Sequence, residues 1–253
     1  MLPVSAKTPI RFQVLAEAVR RGERELEALR AVASGMEEKA ESADSPAAGP
    51  SGGAADRKRF QRMLEEGEAE LAALKARKEA EPEEPVYLIA AADAFQRAAF
   101  PAAMTEQGCR WPAGGEVVRA LRRAVEYCVE PHQQPDLAEI LDEAEVLPEE
   151  RWPAALEVRI GDMTAQLRGH FPELDALLAA RERYTRTAPI VAAQLFLRGW
   201  EGGGWEGLGI KYEARAGRVT TTCLSALPAE HVAAIGRKAL ELMHQIPEQT
   251  VKN

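Results

Sequence analysis

Apolar positions along the chain fall into a short alternating segment, two long heptad stretches, a run of short amphipathic helices and a closing apolar cluster. Ile10, Phe12 and Val14 alternate with Arg11 and Gln13, which predicts a short strand after Pro9. From there Leu15, Val19, Gly22, Leu26, Leu29, Ala33 and Met36 recur at alternating spacings of four and three, the seam of a coiled coil. Residues 42–55, rich in Ser, Pro, Gly and Ala, break the pattern and predict a flexible tip. Beyond them Phe60, Leu64, Gly67, Leu71 and Leu74 resume the seam up to Lys78.

Folding these two arms together about the tip pairs residues whose numbers sum to 93: Val19 with Leu74, Gly22 with Leu71, Leu26 with Gly67, Leu29 with Leu64, and Ala33 with Phe60. Each small residue then faces a large one, which fills the seam evenly, whereas a one-heptad slip that put Ala33 against Gly67 would leave a gap. Volume alone does not distinguish the opposite slip. The sequence thus predicts an antiparallel helical hairpin with outer faces rich in Glu, Lys and Arg; the plainer alternative is two charged helices packed on the body. The β-like run Val86-Tyr87-Leu88-Ile89 after Pro82 and Pro85 is brought to the hairpin base, where it is expected to pair with the strand at 10–14.

Between residues 91 and 186 the pattern is helical and prolines punctuate it. Asp93 is placed to cap a helix carrying Phe95, Ala99 and Phe100, with Pro101 expected to kink it and Gly108 to end it. Val117, Val118, Leu121, Ala124, Val125, Cys128 and Val129 form a second face, and Leu137, Ile140, Leu141 and Ala144 a third. Leu156, Ile160, Met163 and Leu167 follow Trp152-Pro153, and Leu174, Leu177 and Leu178 follow Phe171-Pro172. Short links between short amphipathic helices imply antiparallel neighbours in a bundle.

The last region, 187–253, carries the strongest folding signals. Thr187 and Pro189 are placed to open a helix in which Ile190 to Leu197 leave almost no polar face, the mark of a helix buried on all sides. It is expected to stop at Arg198-Gly199-Trp200, where the glycine-rich run 201–207 costs too much backbone entropy to be helical. Ile210, Tyr212 and Ala214, the Ala216-Gly217 pair and the β-branched run Val219 to Cys223 read as a β-hairpin. Leu227-Pro228 then opens an amphipathic helix striped by Val232, Ile235, Ala239, Leu242 and Ile246, expected to lie against the buried helix. The fold class is therefore mainly α: a helical bundle with an inserted antiparallel coiled-coil hairpin and one or two small β-hairpins. Its segments are 1–90 (strand pair and hairpin), 91–186 (bundle) and 187–253 (buried helix, glycine turn, β-hairpin and last helix).

Composition narrows the function. A net charge of −8 argues against a nucleic-acid binder, whose affinity rests on basic residues neutralising phosphates. Three well-separated cysteines, Cys109, Cys128 and Cys223, fit buried thiols in a reducing compartment, with Cys128 on a helix face. No apolar segment follows basic residues near Met1 to Ile10, and no run is long enough to span a bilayer, so a cytoplasmic location and no membrane partner are expected. His132, His170, His231 and His244 are scattered, outside any metal-ligand spacing, and read as surface or capping residues. The glycine run lacks the Lys-Ser/Thr of a phosphate loop and follows a helix instead of a strand. No cofactor, metal or catalytic residue is predicted. Trp200 and Trp205 flank the glycine turn, and with Phe196 they are the candidate residues for partner binding or self-association; the alternative is that the tryptophans cover the end of the buried helix.

Two stretches carry a family resemblance. The first runs from Val86-Tyr87-Leu88-Ile89 through Phe95-Gln96-Arg97-Ala98-Ala99-Phe100 to Gly108 and the helix Glu116 to Val129. The second comprises Ala188-Pro189-Ile190-Val191-Ala192-Ala193 to Gly199-Trp200-Glu201, Gly217-Arg218-Val219-Thr220, Leu224-Ser225-Ala226-Leu227-Pro228, Ile235-Gly236-Arg237-Lys238-Ala239 and the terminal Lys252-Asn253. Together they resemble the tail assembly chaperones of long-tailed bacteriophages and prophages, relative to which the helical hairpin reads as an insertion. The resemblance implies a non-enzymatic protein of the infected cell that holds the tape measure protein until tail tube subunits polymerise around it. A minor structural protein of a phage tail or virion, or a helical scaffold protein, would share these features.

Overall fold

A computed structural model describes residues 9–42, 52–81, 83–90, 94–202 and 209–244. The chain is mostly helical, with a few small antiparallel strands in two small sheets. It divides into two compact units, one formed by residues 1–93 and 193–253 and the other by residues 94–192.

In the first unit, strand β1 (Ile10–Phe12) leads into helix α1 (Val14–Ser42), and helix α2 (Gly52–Ala80) returns to strand β2 (Val86–Ile89). β1 and β2 pair antiparallel with Ile10 opposite Ile89 and Phe12 opposite Tyr87, so the base of the hairpin closes as the alternation of both segments predicts. Glu84 fastens the same junction: its carboxylate accepts from the backbone amides of Leu15 and Ala16, two of the unpaired donors at the start of α1. The seam buries Val19, Leu26 and Leu71, with Leu64 and Leu74 packed against them. Its register follows the glycines: a Cβ on Gly22 would lie 3.3 Å from Leu71 Cδ1, and one on Gly67 3.5 Å from Leu26 Cδ1. Small residues thus face leucines in the expected pairs. Across the flanks, Arg30 pairs with Glu68 at 2.6 Å and Lys75 with Glu23 at 2.8 Å. Ser42 still belongs to α1 and α2 already begins at Gly52, so both ends of the predicted 42–55 break are helical; the expected tip, 43–51, lies outside the described residues.

Strand β3 (Leu197–Glu201) completes a three-stranded sheet in the order β1-β2-β3. Tyr87 faces Trp200 and Leu88 faces Gly199, and the register then shifts so that Ile89 faces Leu197. Arg198 is the extra residue of this bulge, and Gly199 beside it has φ +146°, a conformation that favours glycine. Strands β4 (Ala214–Arg215) and β5 (Arg218–Val219) form a minimal hairpin about Ala216 (φ 50°) and Gly217 (φ 77°), the positive-φ pair of a two-residue turn. Helix α8 (Thr221–Ser225) follows, and helix α9 (Ala229–His244) packs on α1 and β2.

The second unit holds helix α3 (Ala94–Glu106), α4 (Gly114–Cys128), α5 (Gln134–Val146), a 3-10 turn (Glu149–Arg151), α6 (Ala154–Leu167) and most of α7 (Pro172–Phe196). α4 carries the densest face: Ala120 and Ala124 are fully buried between valines and Leu121, which lets α5 and α6 approach it closely. Leu141, Leu156, Ile160, Met163, Leu167 and Leu174 complete this core. α3 runs on through Pro101 and ends at Gly108 (φ 65°), where Cys109 N bonds back to the Met104 carbonyl. The capping role expected of Asp93 lies outside the described residues.

Four local expectations are corrected. No helix opens at Thr187: α7 is continuous from Pro172, and Pro189 lies inside it between the buried Ala188 and Ile190, which is exposed where the sequence pattern predicts a fully buried helix. The helix does stop close to Arg198-Gly199-Trp200, at Phe196, but the residues that follow extend as β3, a strand not expected there, because β2 offers an edge to pair with. The β-branched run after Val219 is helical, since Thr220 accepts from Cys223 N at 3.2 Å and caps α8. Cys128 is exposed, on the last turn of α4, while Cys109 and Cys223 are buried.

Candidate partner-binding surface

β2 turns alternate residues inward, and Tyr87 and Ile89 are completely buried. Tyr87 stands opposite Trp200 in the sheet, and their rings meet edge to face with centroids 6.4 Å apart. Tyr212 also meets the indole edge to face, at 5.7 Å, and donates its hydroxyl to the Leu197 carbonyl at 3.0 Å. Burial pushes the Tyr212 phenol above its ordinary value. Trp200 is therefore a half-buried member of an aromatic row that ties β3 to β2, and part of its edge remains accessible.

The row continues inward. Tyr87 Oη and His231 Nδ1 are 2.7 Å apart, and the two rings meet nearly perpendicular. His231 is 6% exposed, so its sequence reading as a surface or capping residue is corrected. Burial lowers its pKa, opposed by Glu230 and Glu84. Glu230 in turn is held below the ordinary carboxylate range by its hydrogen bond from Arg77, 2.8 Å away, which joins α9 to α2. A signal for His231 was present in the sequence: it lies four residues before Ile235, on the same stripe as Val232 and Ala239.

Of the residues expected to touch a partner, Phe196 is corrected: it is fully buried, with its carbonyl accepting from Ala90 N at 2.8 Å, and presents no surface. Trp205 lies outside the described residues. Trp200 alone of the three has a described, partly accessible side chain.

The larger accessible feature is the hairpin. A cavity of about 380 Å³ opens where α1 and α2 leave the sheet and α9 crosses them; Phe12, Leu15 and Leu74 line it, as do Arg21, Arg77 and Arg237. A second of about 270 Å³ follows along the seam, bordered by Gly22, Gly67, Leu29, Met63, Glu66 and Glu70. Sequence reasoning identified the seam but not the cavity at its base, because α9 contributes a wall there that no local pattern joins to the hairpin.

In the second unit the exposed Trp111 serves structure. Arg181 stacks on Trp111 at 4.9 Å and forms a two-pronged ion pair with Glu149 at 2.9 and 2.7 Å. Glu149 occupies the space a Cβ on Gly114 would need, 2.7 Å from its Oε2, which explains a glycine at the start of α4.

Among the described residues no group of three or more His, Cys, Asp or Glu side chains is placed to hold a metal ion, and no helix is long and apolar enough to cross a membrane. Compared with family models, with curated proteins and with solved structures, the chain matches none.

Proposed function

We propose that this protein is a non-enzymatic tail assembly chaperone that holds the tape measure protein during phage tail morphogenesis. The observation that carries the partner-holding part of this reading is the hairpin. Two 29-residue helices, each about 43 Å long at 1.5 Å per residue, leave a small sheet with their outer faces exposed and an open groove along their seam. A seam so narrow gives surface instead of core. The buried titratable groups of the same unit serve structure: Glu84 caps α1 and His231 bonds Tyr87. The phage assignment rests on the two sequence stretches that resemble the family, which include Trp200 and the region around Arg237 and Lys238.

Quantitative mass spectrometry of infected-cell lysate and of washed particles tests the reading. The protein should co-purify with tape measure protein from lysate and be missing from particles. Stoichiometric recovery in particles would favour a structural component of the tail, and absence of the tape measure protein from the purified complex would overturn the proposal.

A further inference from the structure

The two hairpin cavities share Ala18, Arg21 and Leu74, so they are successive stretches of one groove. Its floor is apolar: Phe12 and Leu15 at the base, then Leu74, Leu71 and Leu26 along the seam. Gly22 and Gly67 carry no side chain, which hollows the helix surface beside those leucines.

The charge along this groove is not uniform. At the base, Arg21, Arg24, Arg77, Arg237 and Lys238 line the walls. The carboxylates there are already engaged: Glu17 by Arg20 and Arg24, Glu230 by Arg77, and Glu241 by Lys238. Among the described residues Arg237 has no ion-pair partner, and Arg21 reaches only Glu25, at 3.5 Å. Toward the tip the balance reverses, since Glu25, Glu66 and Glu70 border the groove and neither Glu66 nor Glu70 has an ion-pair partner among the described residues. A protein of net charge −8 thus carries a groove that is cationic at its base and anionic farther out.

We propose that the groove receives an α-helical segment of the partner protein, seated by an apolar stripe over the hairpin seam, with its carboxylates at the base end and its lysines or arginines toward the tip. This deepens the partner-holding reading and rests on it. A helix supplies the stripe because its residues three and four apart share one face, and about four turns of it span the distance from Val14 to Leu29 on α1. Segregated charge supplies orientation: a segment of the opposite polarity, or one docked in reverse, would put like charges together along both stretches. The terminal segments of this chain do not have the required pattern, since residues 1–8 contain no carboxylate side chain and residues 245–253 only Glu248.

Two synthetic amphipathic peptides of about 16 residues test this. They share an apolar stripe and composition, but one has its acidic and basic residues segregated at opposite ends and the other has them interleaved. Binding to the full chain is measured by fluorescence anisotropy at low and high salt. The segregated peptide should bind at least tenfold more tightly and weaken with salt. Arg21→Glu with Arg237→Glu, and separately Glu66→Lys with Glu70→Lys, should each remove that preference; all four positions are exposed, and unchanged melting temperatures verify folding. Equal binding of both peptides, or of neither, overturns the proposal. So does a single-stranded oligonucleotide that binds more tightly through Arg21 and Arg237, or a change in the mass of the free protein on charge reversal, which would make a second copy the occupant. Failure here with normal capture of tape measure protein by both variants would refute the groove alone. Peptide binding without capture by the wild-type chain would refute the tape measure reading and leave the groove standing.

Discussion

The α1/α2 hairpin and the bundle of residues 94–192 are both built from helices with apolar stripes, but they hold together differently. In the bundle, α4 meets both α5 and α6, and its face is buried from Val117 to Val125 with Ala120 and Ala124 allowing close approach. The hairpin has one seam, in which Val19, Leu26 and Leu71 are buried while Leu64 and Leu74 are only partly covered. The bundle is stabilised by volume; the hairpin depends on matching small residues to large ones, on flanking ion pairs and on the closure at its base. That difference leaves the hairpin with surface available for a partner.

Truncation should separate the two most strongly. Leu121→Ala leaves a cavity in a filled core and should cost about 3 to 5 kcal/mol of stability, whereas Leu26→Ala, in a seam open to solvent along the groove, should cost about 2 kcal/mol. Chemical denaturation of both variants checks the order, and equal losses would show that the seam is a closed core. Trp200→Ala should follow, at about 2 kcal/mol, because the half-buried indole packs against both Tyr87 and Tyr212. If melting is unchanged while partner capture falls, the indole belongs to the binding surface instead.

Acid titration sharpens the role of the hairpin base. His231 has a lowered folded-state pKa, so the unfolded chain takes up its proton first as pH falls through about 6.5 and stability declines from there toward the folded value. The carboxylates Glu230 and Glu23, lowered by Arg77 and Lys75, add their losses only below about 4.5. His231→Asn, which keeps a polar atom near the Nδ1 position, should flatten the upper part of the profile and leave the lower part intact. The smallest effect is expected at the seam glycines. Gly67→Ala gains about 0.5 to 1 kcal/mol of helix propensity at an ordinary 3.5 Å contact, while Gly22→Ala, at 3.3 Å from Leu71, should gain less. Thermal melts of the two variants check this order.

The hairpin was legible in the sequence because heptad spacing and residue size speak to the same two helices: matching small residues to large ones gave the Gly22–Leu71 and Leu26–Gly67 pairs that the structure contains, although volume left the opposite slip open. The bundle faces were legible for a similar reason, each being a local period of three and four. What local pattern missed depended on distant partners. β3 is a strand because β2 lies beside it, α7 runs on through Thr187 and Pro189 as one helix, and Val219 begins no longer strand because Thr220 caps a helix. Of the candidate partner-binding residues, Trp200 is partly accessible and Phe196 is core, since apolar character does not say whether a face meets core or surface. The groove was missed because α9 forms its base wall about 150 residues from the arms it touches, as in the Arg77–Glu230 pair, a separation of 153.

Hydrogen–deuterium exchange of the full chain, alone and bound to co-expressed tape measure protein, tests the central claim most directly. Binding should slow exchange along α1 and α2 and in the first turns of α9, leaving α4 to α6 unchanged. Protection confined to α4 to α6, or no protection of the hairpin in a complex that does form, would contradict the account.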